Sequence, residues 1–372
     1  MAGYRRAMYS TWGGAAVWEV VAGMVMSSAV RFMPRVLPVG DSARYGEIRQ
    51  DGADAVLSFG GATWLVVWLV AFGAEGVTLR GWFYPAEGRP GPAPAIVMAH
   101  GFSAVEEMYL DSFAEVFAGA GLNVLVFDNR NFGASDGEPR QEIDPVMQVR
   151  DYRHAITWAC GLPEVDPLRI GIWGSSYSGG HVLVVAAADR RVKAVVSQVP
   201  LVSGSANLRP LVRADLIAGL RASFEADRAA RYGGAVPAIL PVVSEDLFGA
   251  AALPTPDSWT WFTETAKLRA PAWRNEVTLR SVEMFTEYEP AAYIPLISPT
   301  PLLLMPARQD HLTLITLKEV NGISLVMRLG GPSAPLDDAD QQRWPGHRDG
   351  VGLCDLGGQG WPQVPLPYEA DH

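Results

Sequence analysis

A chain of 372 residues is long enough to bury a large core as one big or two small domains, and 49% hydrophobic against 19% charged residues marks a globular, rather apolar protein. A formal net charge of −10, with no Lys/Arg block, argues against nucleic acid as a partner. Two cysteines, Cys160 and Cys354, make neither a disulfide framework nor a metal pattern, so a reducing compartment is the simpler reading.

Near the start, Arg5-Arg6 precede an apolar stretch from Trp12 to Val30 that has the look of a secretory signal. Glu19 interrupts it, and it is barely long enough to span a bilayer. A second apolar run, Ala62 to Ala74, is too short to span. The expectation is therefore a cytoplasmic protein without a membrane partner. Regular patterning begins at Gly76. Val77 to Tyr84 alternates and reads as an antiparallel strand. Ala95 to Ala99 is a continuous apolar run, as in a buried parallel strand, and His100-Gly101-Phe102-Ser103 follows it. Met108 to Ala120 carries apolar residues at helical spacing. Leu122 to Phe127 is the next strand and ends in Asp128-Asn129-Arg130-Asn131-Phe132-Gly133. Asp144 to Cys160 reads as a helix, with Asp144 as cap and Pro145 at the first position.

Ile170 to Trp173, Gly174-Ser175-Ser176-Tyr177-Ser178-Gly179-Gly180 and Val182 to Ala188 read as strand, tight turn and helix. That is the context a nucleophile elbow requires. In the pattern Gly-x-Ser-x-Gly the nucleophile position falls on Ser176, and Ser178 takes the place of the second glycine. Val192 to Ser197 is another strand. Strands alternating with helices give a parallel sheet covered on both faces, with ligand sites beyond the carboxyl ends of the strands. His100, Asp128 and Ser176 all fall at that edge.

From Asn207 to about Tyr293 the rhythm breaks into helical stretches, Leu211 to Arg231 and Pro256 to Leu268, with Phe224, Trp259, Trp261, Phe262 and Trp273 among them. This reads as a helical lid over the sheet edge, excluding water from the site. The sheet resumes at Pro301 to Met305, with Leu314 to Val320 as a further helix and Ser324 to Leu329 as a last strand. The expected organisation is an N-terminal segment over 1–74, a first part of the core over 75–204, the lid over 205–295, a second part of the core over 296–330 and an irregular tail over 331–372.

A serine hydroxyl needs a base, usually a histidine held in one tautomer by a carboxylate. In this sheet type the chain order is Ser, acid, His. Asp310, just beyond the run ending at Met305, is the expected acid. Of six histidines, His347 is the one that follows the last strand in the required order. His100 belongs to an oxyanion loop, His154 and His181 fall on helices, His311 adjoins Asp310, and His372 is the last residue. The oxyanion hole is expected from the backbone N–H groups of Phe102 and Tyr177, each contributing about 3 kcal/mol to lowering the barrier. Asp128 and Arg130 are expected to brace the adjoining loop. No phosphate loop, metal cluster or dinucleotide fingerprint is present, so no cofactor is expected.

Residues about 75 to 310 resemble α/β-hydrolases of the fungal polyketide transferase and thiohydrolase type. The resemblance rests on Val77-Thr78-Leu79-Arg80-Gly81-Trp82, Met98-Ala99-His100-Gly101-Phe102-Ser103, Glu107-Met108-Tyr109-Leu110, the segment Asp128 to Gly137 and the elbow. It implies an α/β-hydrolase fold, a mostly parallel sheet with helices on both faces and a helical lid. It further implies Ser176 as nucleophile, Asp310 as acid, and a histidine in a Gly-His-Phe-Asp-like segment, which Gly346-His347-Arg348-Asp349 matches in part. The implied substrate is a small-molecule acyl thioester or ester, carried on a polyketide synthase carrier protein. A carboxylesterase or peptidase, and a non-catalytic ligand-binding relative, are the alternatives. Residues 1 to about 74 and about 322 to 372 fall outside the resemblance, a loss at both ends expected of a retained intron or a shifted reading frame.

Overall fold

The computed structural model describes residues 54–57, 65–246, 249–307, 312, 325–326 and 352–353. The chain runs β1 (Asp54–Leu57), β2 (Leu65–Ala74), β3 (Val77–Tyr84), β4 (Ala93–Ala99), α1 (Leu110–Gly119), β5 (Asn123–Phe127), α2 (Pro145–Ala159), β6 (Val165–Ser175), α3 (Tyr177–Ala188) and β7 (Val192–Gln198). There follow α4 (Gly204–Leu211), α5 (Ile217–Tyr232), β8 (Ile239–Leu240), α6 (Pro256–Leu268), β9 (Val277–Thr278), α7 (Leu279–Glu287) and α8 (Ile294–Ile297). The sheet then resumes with β10 (Leu302–Met305), β11 (Leu325–Val326) and β12 (Gly352–Leu353).

The main sheet has the order β1-β2-β3-β5-β4-β6-β7-β10-β11-β12. Pairings among β1, β2, β3 and β5 are antiparallel, and every pairing from β5 to β12 is parallel. Each residue of β4 and β5 is buried, as strands covered on both faces must be. Alternate residues serve opposite layers. Ala95, Val97 and Ala99 join Leu125, Phe127, Ile172 and the inner faces of α2 and α3, through Tyr152, Ile156, Val182 and Val185. Ile96 and Met98 join Val124, Val126, Trp173 and the α1 residues Leu110, Ala114 and Phe117. The two-residue period of the strand thus sorts one sequence into two cores.

Asp144 caps α2 as expected: its Oδ1 accepts the N–H groups of Val146 and Met147, both at 3.0 Å, and Pro145 opens the helix. Two elements depart from the sequence reading. The run Ala62 to Ala74, noted only as too short to span a membrane, supplies β2, so the sheet begins before residue 75. Val67, Phe72 and Ala74 face inward while Leu69, Ala71 and Gly73 are exposed, which an antiparallel strand near a sheet edge tolerates. The expected helix Leu211 to Arg231 begins only at Ile217, as α5, because Leu211 ends α4 and the backbone turns extended at Val212.

The insertion between β7 and β10 has its own apolar cluster, in which Val242, Val243, Leu253, Phe262, Ala270 and Val277 join Phe102, Tyr177 and Leu201 from the sheet edge. It therefore sits on the carboxyl ends of the central strands. Among the described residues no helix is long and apolar enough to cross a membrane. The stretch Trp12 to Val30 and the expected helix Leu314 to Val320 lie outside the described residues.

Candidate active site

The parallel register levels the ends of three strands: Ala99 of β4 lies opposite Gly174 of β6, and Ser175 opposite Gln198 of β7. Ser176 is the first residue past β6 and stands at φ 57°, ψ −120°. A non-glycine residue with such a backbone persists only where its surroundings over-determine it. Its N–H donates to Gln198 O at 2.9 Å, and its carbonyl accepts from Leu201 N at 2.9 Å and Gly180 N at 3.3 Å. A side-chain carbon at Gly174 would lie 2.2 Å from the backbone oxygen of Ser178, so the turn closes only around glycine there.

Ser178, where the usual pattern has glycine, is fully buried, and its hydroxyl lies 2.6 Å from the Tyr152 hydroxyl. Tyr152 also accepts from Ala99 N at 2.9 Å and donates to Trp173 O at 3.1 Å. One phenol on α2 thus joins the ends of β4 and β6 to the start of α3. Burial raises its pKa, so it stays a neutral donor.

The loop after β4 presses on the nucleophile. A side-chain carbon at Gly101 would sit 3.0 Å from Ser176 Cβ and 3.4 Å from its Oγ. The His100 ring lies behind the loop: its Nδ1 is 3.0 Å from Gly101 O, and its Nε2 accepts Asn129 N–H at 3.0 Å. Burial pushes its pKa down to about 4, with the Gly101 hydrogen bond opposing. A neutral imidazole donating from Nδ1 and accepting at Nε2 satisfies both partners. The Phe102 ring meets Tyr177 edge-on at 5.5 Å and Phe285 at 5.7 Å, and Phe285 stacks on Tyr177 at 5.7 Å. Neither the Phe102 N–H nor the Tyr177 N–H has a protein acceptor among the described residues. Ser176, Phe102 and Tyr177 are therefore together at the sheet rim.

The loop after β5 is braced as expected. Asp128 accepts the N–H groups of Glu106 and Ala134, both at 2.8 Å. Burial pushes its carboxyl up to about 6, opposed by those two hydrogen bonds. Arg130 makes a two-pronged pair with buried Asp151, at 2.7 and 2.5 Å. His181, on α3, has Nδ1 2.9 Å from the Tyr288 hydroxyl and Nε2 2.9 Å from Gln148 Oε1. Burial holds its pKa down to about 3. Asp310 and His347 lie outside the described residues. The strand leading toward Asp310 is anchored beside the elbow, where Met305 O accepts Val199 N–H at 2.8 Å. No group of three or more His, Cys, Asp or Glu among the described residues could hold a metal ion. Sequence reasoning passed over Tyr152, placed His181 only on a helix and Trp273 only among the aromatics of the insertion, since their hydrogen-bond partners are decided by the fold.

The sheet order, the strained serine directly after β6 and the adjoining glycine loop define an α/β-hydrolase. Residues 81–214 match the family of X-Pro dipeptidyl-peptidases (S15 family). The chain is 37% identical over 246 residues to the thiohydrolase aneE of Aspergillus aculeatus, covering 63% of this chain and 74% of that one. It is 32% identical to the polyketide transferase af380 of Aspergillus fumigatus, over 64% of this chain and 78% of that one. The crystal structure of the α/β hydrolase GrgF from Penicillium sp. superposes with a TM-score of 0.61 at 27% identity, over 71% of this chain and 90% of that one. The chain belongs to the thiohydrolase and polyketide transferase family of α/β-hydrolases.

Proposed function

We propose that the protein transfers or hydrolyses an acyl chain through an acyl-Ser176 intermediate, taking it from a polyketide-type thioester, or an ester, to water or an alcohol. The observation that carries this reading is Ser176 itself, held in a left-handed backbone with the Gly101 loop against its side chain. Its hydroxyl attacks the acyl carbonyl carbon and its proton passes to an imidazole. The negative oxygen so formed is received by the Phe102 and Tyr177 N–H groups. Collapse of that intermediate breaks the bond to sulfur or oxygen, and the leaving group takes the proton from the imidazolium. Water or an alcohol then repeats the sequence on the acyl-serine.

Both ring nitrogens of His100 and of His181 are engaged by protein partners, so neither ring has a lone pair free to take the serine proton. Chain order assigns that role to His347 and its orientation to Asp310. The aromatic rings of the insertion, Phe285 and Phe262 among them, favour an apolar acyl group. A carrier-protein-bound chain is the natural form of such a thioester, and the names of the relatives point the same way.

A fluorophosphonate probe tests the reading. Labelling confined to Ser176, with Ser176→Ala abolishing turnover but not folding, is the expected result. A folded protein without labelling would leave a ligand-binding relative instead. The match to the dipeptidyl-peptidase family favours a second reading as carboxylesterase or peptidase. Thioester and simple ester offered at equal concentration separate the two.

A further inference from the structure

Phe102 is held from both sides, and one of the two holds comes from the helical insertion. On the near side His100 Nδ1 meets Gly101 O at 3.0 Å. The Gly101–Phe102 peptide is planar, so fixing its carbonyl fixes the direction of the Phe102 N–H as well. On the far side the indole Nε1–H of Trp273 donates to Ser103 O at 2.8 Å. Ser103 is a buried non-glycine residue at φ 54°, a backbone that needs outside support. The Trp273 ring stacks on buried Phe262 at 5.2 Å and 25°, so α6 fixes the indole in turn. Trp273 lies 97 residues beyond Ser176 and packs, half-buried, against the cluster that includes Phe102 and Tyr177, so its indole reaches the sheet edge by both packing and a hydrogen bond.

We infer that Trp273 is a positioning residue for acyl transfer: its N–H holds the Ser103 turn that aims the Phe102 N–H at the developing oxyanion. The seating of the insertion is thereby read at the reacting centre. The inference rests on the proposed serine chemistry and adds a residue outside the triad and the oxyanion hole.

Trp273→Phe keeps a ring against Phe262 and removes the donor. With p-nitrophenyl butyrate, kcat falls about tenfold while KM stays within about twofold, because the lost alignment matters in the transition state. Affinity for an alkyl trifluoromethyl ketone, to which Ser176 adds reversibly to give an oxyanion, falls by the same factor. Affinity for the corresponding methyl ketone is unchanged. A purely structural role would weaken both ketones alike. Benzothienylalanine at position 273, with sulfur in place of N–H, preserves shape if the phenylalanine variant fails to fold. Unchanged kcat in either folded variant, or equal losses for the two ketones, overturns the inference. Absence of Ser176 labelling in the unaltered protein would instead remove the serine chemistry itself.

Discussion

Tyr152 carries more hydrogen bonds than its place on an apolar helix face foretells. Its hydroxyl contacts Ala99 N, Trp173 O and Ser178 Oγ where the side chain is fully buried. Removing it leaves the Ala99 N–H buried without a partner, which costs about 1–3 kcal/mol. Tyr152→Phe is therefore expected to lower the urea midpoint by that equivalent at an unchanged m value. Ser178→Gly, which restores the usual glycine, should cost less than its single-variant value once Tyr152→Phe is already present. Additive losses in that double-mutant cycle would show that the two hydroxyls do not act on each other.

The elbow works as an element because strand β6 and helix α3 are joined by a turn that admits no extra atom. Gly174→Ala would place a carbon 2.2 Å from the Ser178 carbonyl oxygen, and that neighbour is backbone. The turn must then shift, and a nucleophile displaced by about 1 Å loses about a hundredfold in rate. Fluorophosphonate labelling of Gly174→Ala is expected to slow by at least tenfold, with a stability loss of about 1–3 kcal/mol. Labelling at the native rate would mean that the elbow is more plastic than its geometry allows. The serine, the strand and the helix were legible in the sequence because the Gly/Ser turn interrupts two apolar runs. The strand Leu65–Ala74 was not, since a short aliphatic run fits strand, helix or membrane segment equally until its partner β3 is in place.

At the scale of the whole molecule, two imidazoles sealed in the interior make the fold sensitive to acid. His100 and His181 keep folded-state pKa values of about 4 and about 3, against 6.5 unfolded. As pH falls below about 6.5 the unfolded chain binds protons at these rings that the folded chain refuses. Their contribution to stability is therefore full above that pH and is lost on acidification, with a limiting slope of about 1.4 kcal/mol per pH unit for each ring. Asp128, raised from 3.8 to about 6, acts in the opposite sense. It holds its proton more tightly when folded and adds stability as pH falls from about 6 to below 4. His181→Gln is expected to flatten the acid loss. Urea midpoints of the variant and the unaltered protein should converge between pH 7 and pH 5, and parallel slopes would count against a buried neutral His181.

The sequence alone determined the alternation of strands and helices, the elbow at Ser176, the capped start of α2 and the loop beginning at His100. Each depends on local chemistry: apolar periodicity, a proline or a cap, glycine where a turn is tight. Only the tertiary structure decided that His100 and His181 are neutral and bonded at both nitrogens, that Tyr152 ties three elements together, and that Trp273 reaches the loop beside the nucleophile. Those facts join residues far apart in the chain. Burial, which sets both the pKa of an imidazole and the cost of an unpaired hydroxyl, is a property of the packed chain that no single stretch of sequence contains.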